Sequence, residues 1–150
     1  MNDQKAAVNE MLTLREVENV QKTWEMVGDS VEMAIDFYNR LFYRYPGLRP
    51  LFKEDIRMQA RKFTAHLSYL IKNLYDWKRI QLDIEELGKR HVSYEVKEED
   101  YTYVQEALIY ALKNHLKDEW DENTAQAWIK LYRMIAELMK SASKNQLRRS

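Results

Sequence analysis

Apolar residues recur at spacings of three and four along most of the chain, the period of helices with one buried face. The first stretch covers 14–27, with Val17, Val20, Trp24 and Val27 on one side. Gly28, Asp29 and Ser30 follow as a stop and a capping signal. A second stripe, Val31, Ala34, Ile35, Tyr38, Leu41 and Phe42, ends at Tyr45-Pro46, because a residue before proline disfavours helical angles. After a turn over 46–52, a third helix starts near Asp55 and faces inward through Ile56, Ala60, Phe63, Leu67, Leu70 and Leu74. Residues 77–79 read as a connector into a shorter helix, 80 to about 91, with Ile80, Ile84, Leu87 and His91 in line. A turn over 92–97 leads to two long helices. One spans 98 to about 116 through Tyr101, Val104, Leu108 and Ala111; the other spans 123 to about 139 through Trp128, Tyr132, Ile135 and Met139. The pattern predicts one all-α domain over 11–142, between a flexible N-terminal tail (1–10) and a polar C-terminal tail (143–150).

Composition sharpens this by exclusion. Three glycines and two prolines are too few for a sheet-rich fold, and no two glycines lie close enough for a phosphate-cradling loop. The 24 basic and 24 acidic side chains cancel, so net charge gives no case for nucleic acid or an anionic membrane surface. Absence of cysteine removes disulfides, thiolate nucleophiles, iron–sulfur ligation and thiolate zinc sites. No apolar run approaches the roughly 20 residues of a membrane-spanning helix, and the first residues lack the basic start and apolar stretch of a signal peptide, so a cytoplasmic location is expected.

Three polar residues interrupt apolar faces. His91 closes the inward stripe of its helix, and a buried imidazole needs a hydrogen-bond partner or a metal, because leaving it unpaired costs about 1–3 kcal/mol. Periodicity leaves two readings open: a satisfied core histidine, or a ligand beside Gly88, where a small residue lets something flat approach. Gln59 lies at the margin of the stripe of Ile56, Ala60 and Phe63, and Tyr38 stands in the centre of the second helix's stripe. Position alone reads them as an edge glutamine and a core tyrosine. His66, His91 and His115 form no HxxxH or HExxH zinc pattern, and no ExxH pair supports a di-iron bundle. The runs Glu85-Glu86 and Glu98-Glu99-Asp100 suit helix starts and solvated faces.

Taken in order, Arg40-Leu41-Phe42, Tyr45-Pro46-Gly47-Leu48-Arg49-Pro50-Leu51-Phe52, Gln59-Ala60-Arg61-Lys62-Phe63, Leu87-Gly88-Lys89-Arg90-His91 and Ala127-Trp128-Ile129-Lys130-Leu131-Tyr132 resemble the globins. Among them the sequence is most similar to single-domain bacterial globins and the haem domain of flavohaemoglobins, over roughly residues 13 to 140. The resemblance implies a globin fold, a three-over-three helical sandwich around a haem pocket, with haem b as cofactor. It makes His91 the iron ligand, Phe52 the aromatic stacked on haem, and Tyr38 and Gln59 the polar residues facing a bound gas. Phe63 stands where that group has leucine and should crowd the ligand. Leu87 should pack under the porphyrin, Arg61, Lys62 and Arg90 should reach its propionates, Tyr94 and Val96 should close the proximal rim, and Tyr101 resembles the group's proximal tyrosine.

Two departures qualify the likeness. Flavohaemoglobins place a glutamate late in the last helix beside that tyrosine and the proximal histidine; the corresponding position is Ser143, which argues against strong peroxidase-like chemistry. The length leaves room for one domain, so turnover calls for electrons from a separate reductase. The resemblance thus implies binding of dioxygen, nitric oxide or similar ligands, with nitric oxide dioxygenation as the leading activity. Oxygen binding or delivery is the close rival, and a gas sensor acting through a separate partner a third reading; the protein is expected as a monomer or homodimer. Lys62 or the Tyr38 phenolate is placed to reach the sixth position of ferric iron, His66 less well.

Overall fold

A computed structural model describes residues 12–27, 30–93 and 96–149, the side chains of 91–93 and 145–149 excepted. Among the described residues there are six α-helices and no strand: α1 (Leu14–Val27), α2 (Val31–Arg44), α3 (Ile56–Lys72), α4 (Trp77–Ser93), α5 (Glu98–Leu116) and α6 (Glu122–Arg149). Short 3-10 turns at Pro46–Leu51 and Lys117–Glu119 join α2 to α3 and α5 to α6.

Capping carboxylates start three helices. Asp55 Oδ1 accepts from the Met58 N–H at 2.9 Å and Asp121 Oδ1 from the Thr124 N–H at 2.8 Å. Asp100 reaches back to the Lys97 N–H at 2.9 Å, which explains one member of the acidic run at the head of α5. Ser30 holds the capping position of α2, yet its hydroxyl makes no capping bond. Gly28 and Asp29 lie outside the described residues, as does the tail over 1–10.

Two helices exceed their apolar patterns. Residues 77–79 are not a connector but the first turn of α4, because Trp77 buries its indole in the core while Lys78 and Arg79 stay exposed. Helix α6 continues past Met139 to Arg149, and Ala142, one turn beyond Met139, is buried and prolongs the inward stripe.

The helices form two layers of three, α1, α3 and α4 over α2, α5 and α6. Helix α4 packs most extensively on α6, α2 packs on both α3 and α5, and α1 rests on α6. The indole N–H of Trp128 donates to Thr23 Oγ at 2.9 Å, and Trp24 donates to Ser68 Oγ at 2.9 Å, so α1 is pinned to α6 and α3 by satisfied polar atoms. Arg40 meets Glu106 at 2.8 Å and His115 meets Asp36 at 2.5 Å, both between α2 and α5. No helix among the described residues is long and apolar enough to cross a membrane.

Candidate functional site

Tyr38 is only 4% exposed, and its hydroxyl lies beside the Gln59 side chain across the α2–α3 crossing. Around it stand all four phenylalanines of the chain. Phe37 and Phe63 stack at 4.7 Å with 18° between planes, while Phe63 presents to the tyrosine ring at 5.9 Å and 74°. Phe52 meets Tyr38 at 5.5 Å and 69°, and Phe42 packs against both. Edge-to-face and offset contacts of this kind suit aromatic quadrupoles. Burial pushes the Tyr38 pKa up to about 12, against a smaller opposing pull from Gln59. The phenol is therefore a neutral hydrogen-bond donor at physiological pH.

Helices α3 and α4 are consecutive in sequence yet make almost no direct contact. Between them lies a cleft of ≈ 620 Å³, within the size range of small-molecule sites. His66, Tyr69 and Leu70 line it from α3, and Asp83, Ile84, Glu86, Leu87 and Arg90 from α4. Leu70 and Ile84 are buried, Leu87 half-buried, and His66, Asp83, Glu86 and Arg90 exposed, so an apolar floor meets a rim of mixed charge. Tyr69 stands opposite Asp83 across the mouth, and burial together with that carboxylate raises its pKa. Among the described residues no group of three or more histidine or carboxylate side chains could hold a metal ion by itself.

The Globin family model matches residues 35–139, most of the chain. The chain belongs to the globin family. It is 25% identical over 145 residues to neuroglobin-1 of Oncorhynchus mykiss, covering 87% of this chain and 91% of that protein. It is 28% identical over 131 residues to the flavohemoprotein of Bacillus subtilis, covering 85% of this chain and 33% of that one. A hexacoordinated heme protein from an anhydrobiotic tardigrade, solved at pH 4, superposes with a TM-score of 0.80 at 16% identity, covering 89% of this chain and 96% of its own. That likeness shows the fold, three helices over three.

In this globin the positions that the sequence singles out are not all brought together. Tyr38, Gln59, Phe63 and Phe52 are brought together in the aromatic cluster. Leu87 and Arg90 line the α3–α4 cleft. Tyr101 is buried on the far side of α4, where its hydroxyl meets Ser143, and Val96 is half-buried against the core. His91 belongs to the last turn of α4, one turn after Leu87, but its side chain lies outside the described residues, and so does Tyr94 entirely. Arg61 is exposed, and the Lys62 ammonium pairs with Glu54, so it would have to leave that carboxylate to reach iron or a propionate.

The space at Gly88 belongs to another partner than the one its sequence position suggests. A Cβ there would stand 2.5 Å from the Met139 carbonyl oxygen and 2.8 Å from its Cα, so the glycine admits the α6 backbone rather than a flat ligand. His66 and Ile84 in the cleft, and Phe37 in the aromatic cluster, complete the site. Phe37 lies beside the Tyr38 stripe, so a single-face reading of α2 passed over it.

The floor of the cleft fits a flat apolar group, and Arg90 offers a cation to an anionic edge at a rim that also carries Asp83 and Glu86. Two helices stand apart over a floor of Leu70, Ile84 and Leu87, and the buried Tyr38 hydroxyl with the half-buried Gln59 lies at the α2–α3 crossing.

Proposed function

We propose that this globin holds haem b in the α3–α4 cleft, with His91 as iron ligand and Tyr38 and Gln59 facing a bound gas. One observation carries the reading: a buried Tyr38 phenol beside Gln59, its ring in contact with every phenylalanine of the chain. Packing alone needs no hydroxyl there, and a buried donor is held where a polar ligand can use it. Haem held there by His91 would supply an iron able to take dioxygen, nitric oxide or a similar gas.

The chain supplies everything else. Tyr38 stays protonated and donates, and Gln59 stands beside its hydroxyl. Phe63, locked by its stack on Phe37, limits the room beside that hydroxyl. Phe52 and Leu87 supply apolar contacts to the ring, Arg61, Lys62 and Arg90 the cations for its carboxylates, and Tyr94, Val96 and Tyr101 the proximal surround. The leading activity is dioxygenation of nitric oxide to nitrate, with electrons from a separate reductase, in a cytoplasmic monomer or homodimer. The position of Phe63 favours a second reading, oxygen binding or delivery, because dioxygenation requires room for a second diatomic molecule. A sensor acting through a partner protein uses the same site.

Stopped-flow mixing of the oxygenated protein with nitric oxide separates the first two. Dioxygenation predicts immediate loss of the oxygenated spectrum with stoichiometric nitrate. A spectrum that persists after nitric oxide is added leaves oxygen binding and contradicts the enzyme.

A further inference from the structure

The C-terminal part of α4 is tied to α6 by a hydrogen bond to which the ligand reading gives no role. Ser143 Oγ, on α6, lies 2.5 Å from the Gly88 carbonyl oxygen, on α4. A carbonyl only accepts, so the single hydroxyl hydrogen of Ser143 is committed to it. The Tyr101 hydroxyl, on α5, lies beside Ser143. Tyr132 of α6 donates to the Tyr101 carbonyl at 2.6 Å. Beside the Ser143–Gly88 bond α4 and α6 meet backbone to backbone, since Gly88 is buried and has no room for a Cβ against Met139. Gly88 precedes His91 by three residues in the same helix, and its carbonyl belongs to the turn on which the His91 backbone rests.

We propose that Ser143 is a positioning residue for His91: its hydroxyl, beside Tyr101, latches the last turns of α4 to α6 and so fixes how His91 is presented to the haem iron. The inference rests on His91 being the iron ligand. A hydroxyl suits the task because it donates to a peptide carbonyl, which neither alanine nor an ionised carboxylate can do. Coming from α6, the latch restrains α4 from the layer opposite, away from the cleft lining.

The test compares wild type, Ser143→Ala, Ser143→Thr and Tyr101→Phe as full-length haem-loaded proteins. It reads the iron–histidine stretching band of the ferrous form, the rate of haem transfer to apomyoglobin, and hydrogen exchange over the 88–92 amides. Ser143→Ala should shift and broaden the band, speed haem loss by about fivefold, as for one ordinary net hydrogen bond, and speed exchange at Val92. Ser143→Thr should restore wild-type values, and Tyr101→Phe, which leaves the Ser143–Gly88 bond in place, should move the band the same way by less. An Ser143→Ala band and exchange profile identical to wild type overturns the latch. A His91→Gly variant tells the two ideas apart: if the wild-type band survives that change, the ligand assignment fails, whatever Ser143 does to amide exchange.

Discussion

Replacing Tyr38 by phenylalanine removes one hydroxyl from a site that otherwise keeps its ring packing. A hydrogen bond to a charged or strongly polarised acceptor contributes about 1.5–3 kcal/mol, so Tyr38→Phe should speed dioxygen release roughly ten- to hundredfold. Flash photolysis with oxygen replacement measures the rate; an unchanged rate removes Tyr38 from the ligand site. Phe63→Leu makes the complementary case: opening the space beside the phenol should speed the reaction with nitric oxide severalfold in stopped flow, whereas a slower or equal rate argues that the Phe37–Phe63 stack does not limit entry. At this scale the sequence located residues better than it assigned their neighbours. Tyr38 was legible as an inward phenol, but its place inside a ring of phenylalanines drawn from α2, the 3-10 turn and α3 depends on how those segments cross. Gly88 is the clearest example: its smallness was visible, but not that the Met139 backbone would be what approaches it.

Elements are tied by a few atoms that periodicity does not show. Thr23 links α1 to α6 through the Trp128 indole, and both residues are buried. Thr23→Val keeps the volume and strands that N–H, so it should destabilise the fold by about 1–3 kcal/mol in urea unfolding; a midpoint within error of wild type would show that the bond contributes nothing. Gly88→Ala should cost about as much, since overpacking against backbone costs about 1–3 kcal/mol, and it should loosen α4 from α6. The six helices of the described region follow from apolar stripes, because each stripe is local chemistry. The misplaced boundaries have a shared cause. Trp77 precedes two cations that masked it as a helical anchor, and Ala142 is a small apolar residue in a polar stretch whose burial depends on what α6 packs against.

For the molecule as a whole, burial of phenols sets an alkaline limit. Tyr38 has a pKa pushed up to about 12 from an ordinary 10, and Tyr132 is raised in the same direction by burial and the nearby Tyr101. A raised folded-state value means that the unfolded chain loses its proton first, so this contribution is complete below about pH 10 and is lost as pH climbs through the folded value. Urea midpoints should fall more steeply between pH 10 and 12 for wild type than for Tyr38→Phe; parallel curves would place the Tyr38 hydroxyl in solvent.

Also at this scale stands the gap between α3 and α4, two successive helices that decline to pack on each other while α4 packs tightly on α6. A stripe of apolar residues tells that a face is buried but not whether protein or a bound group covers it, so the cleft became legible only through the resemblance and then through the fold. The account's central claim is that haem fills this gap and that His91 holds it. Reconstitution of the full chain and of His91→Ala with haem, followed by absorption and resonance Raman spectroscopy, tests it most directly. The account predicts a red wild-type protein with a Soret band and an iron–histidine stretch that His91→Ala abolishes. A wild-type chain that takes up no haem, or a His91→Ala spectrum indistinguishable from wild type, would contradict it.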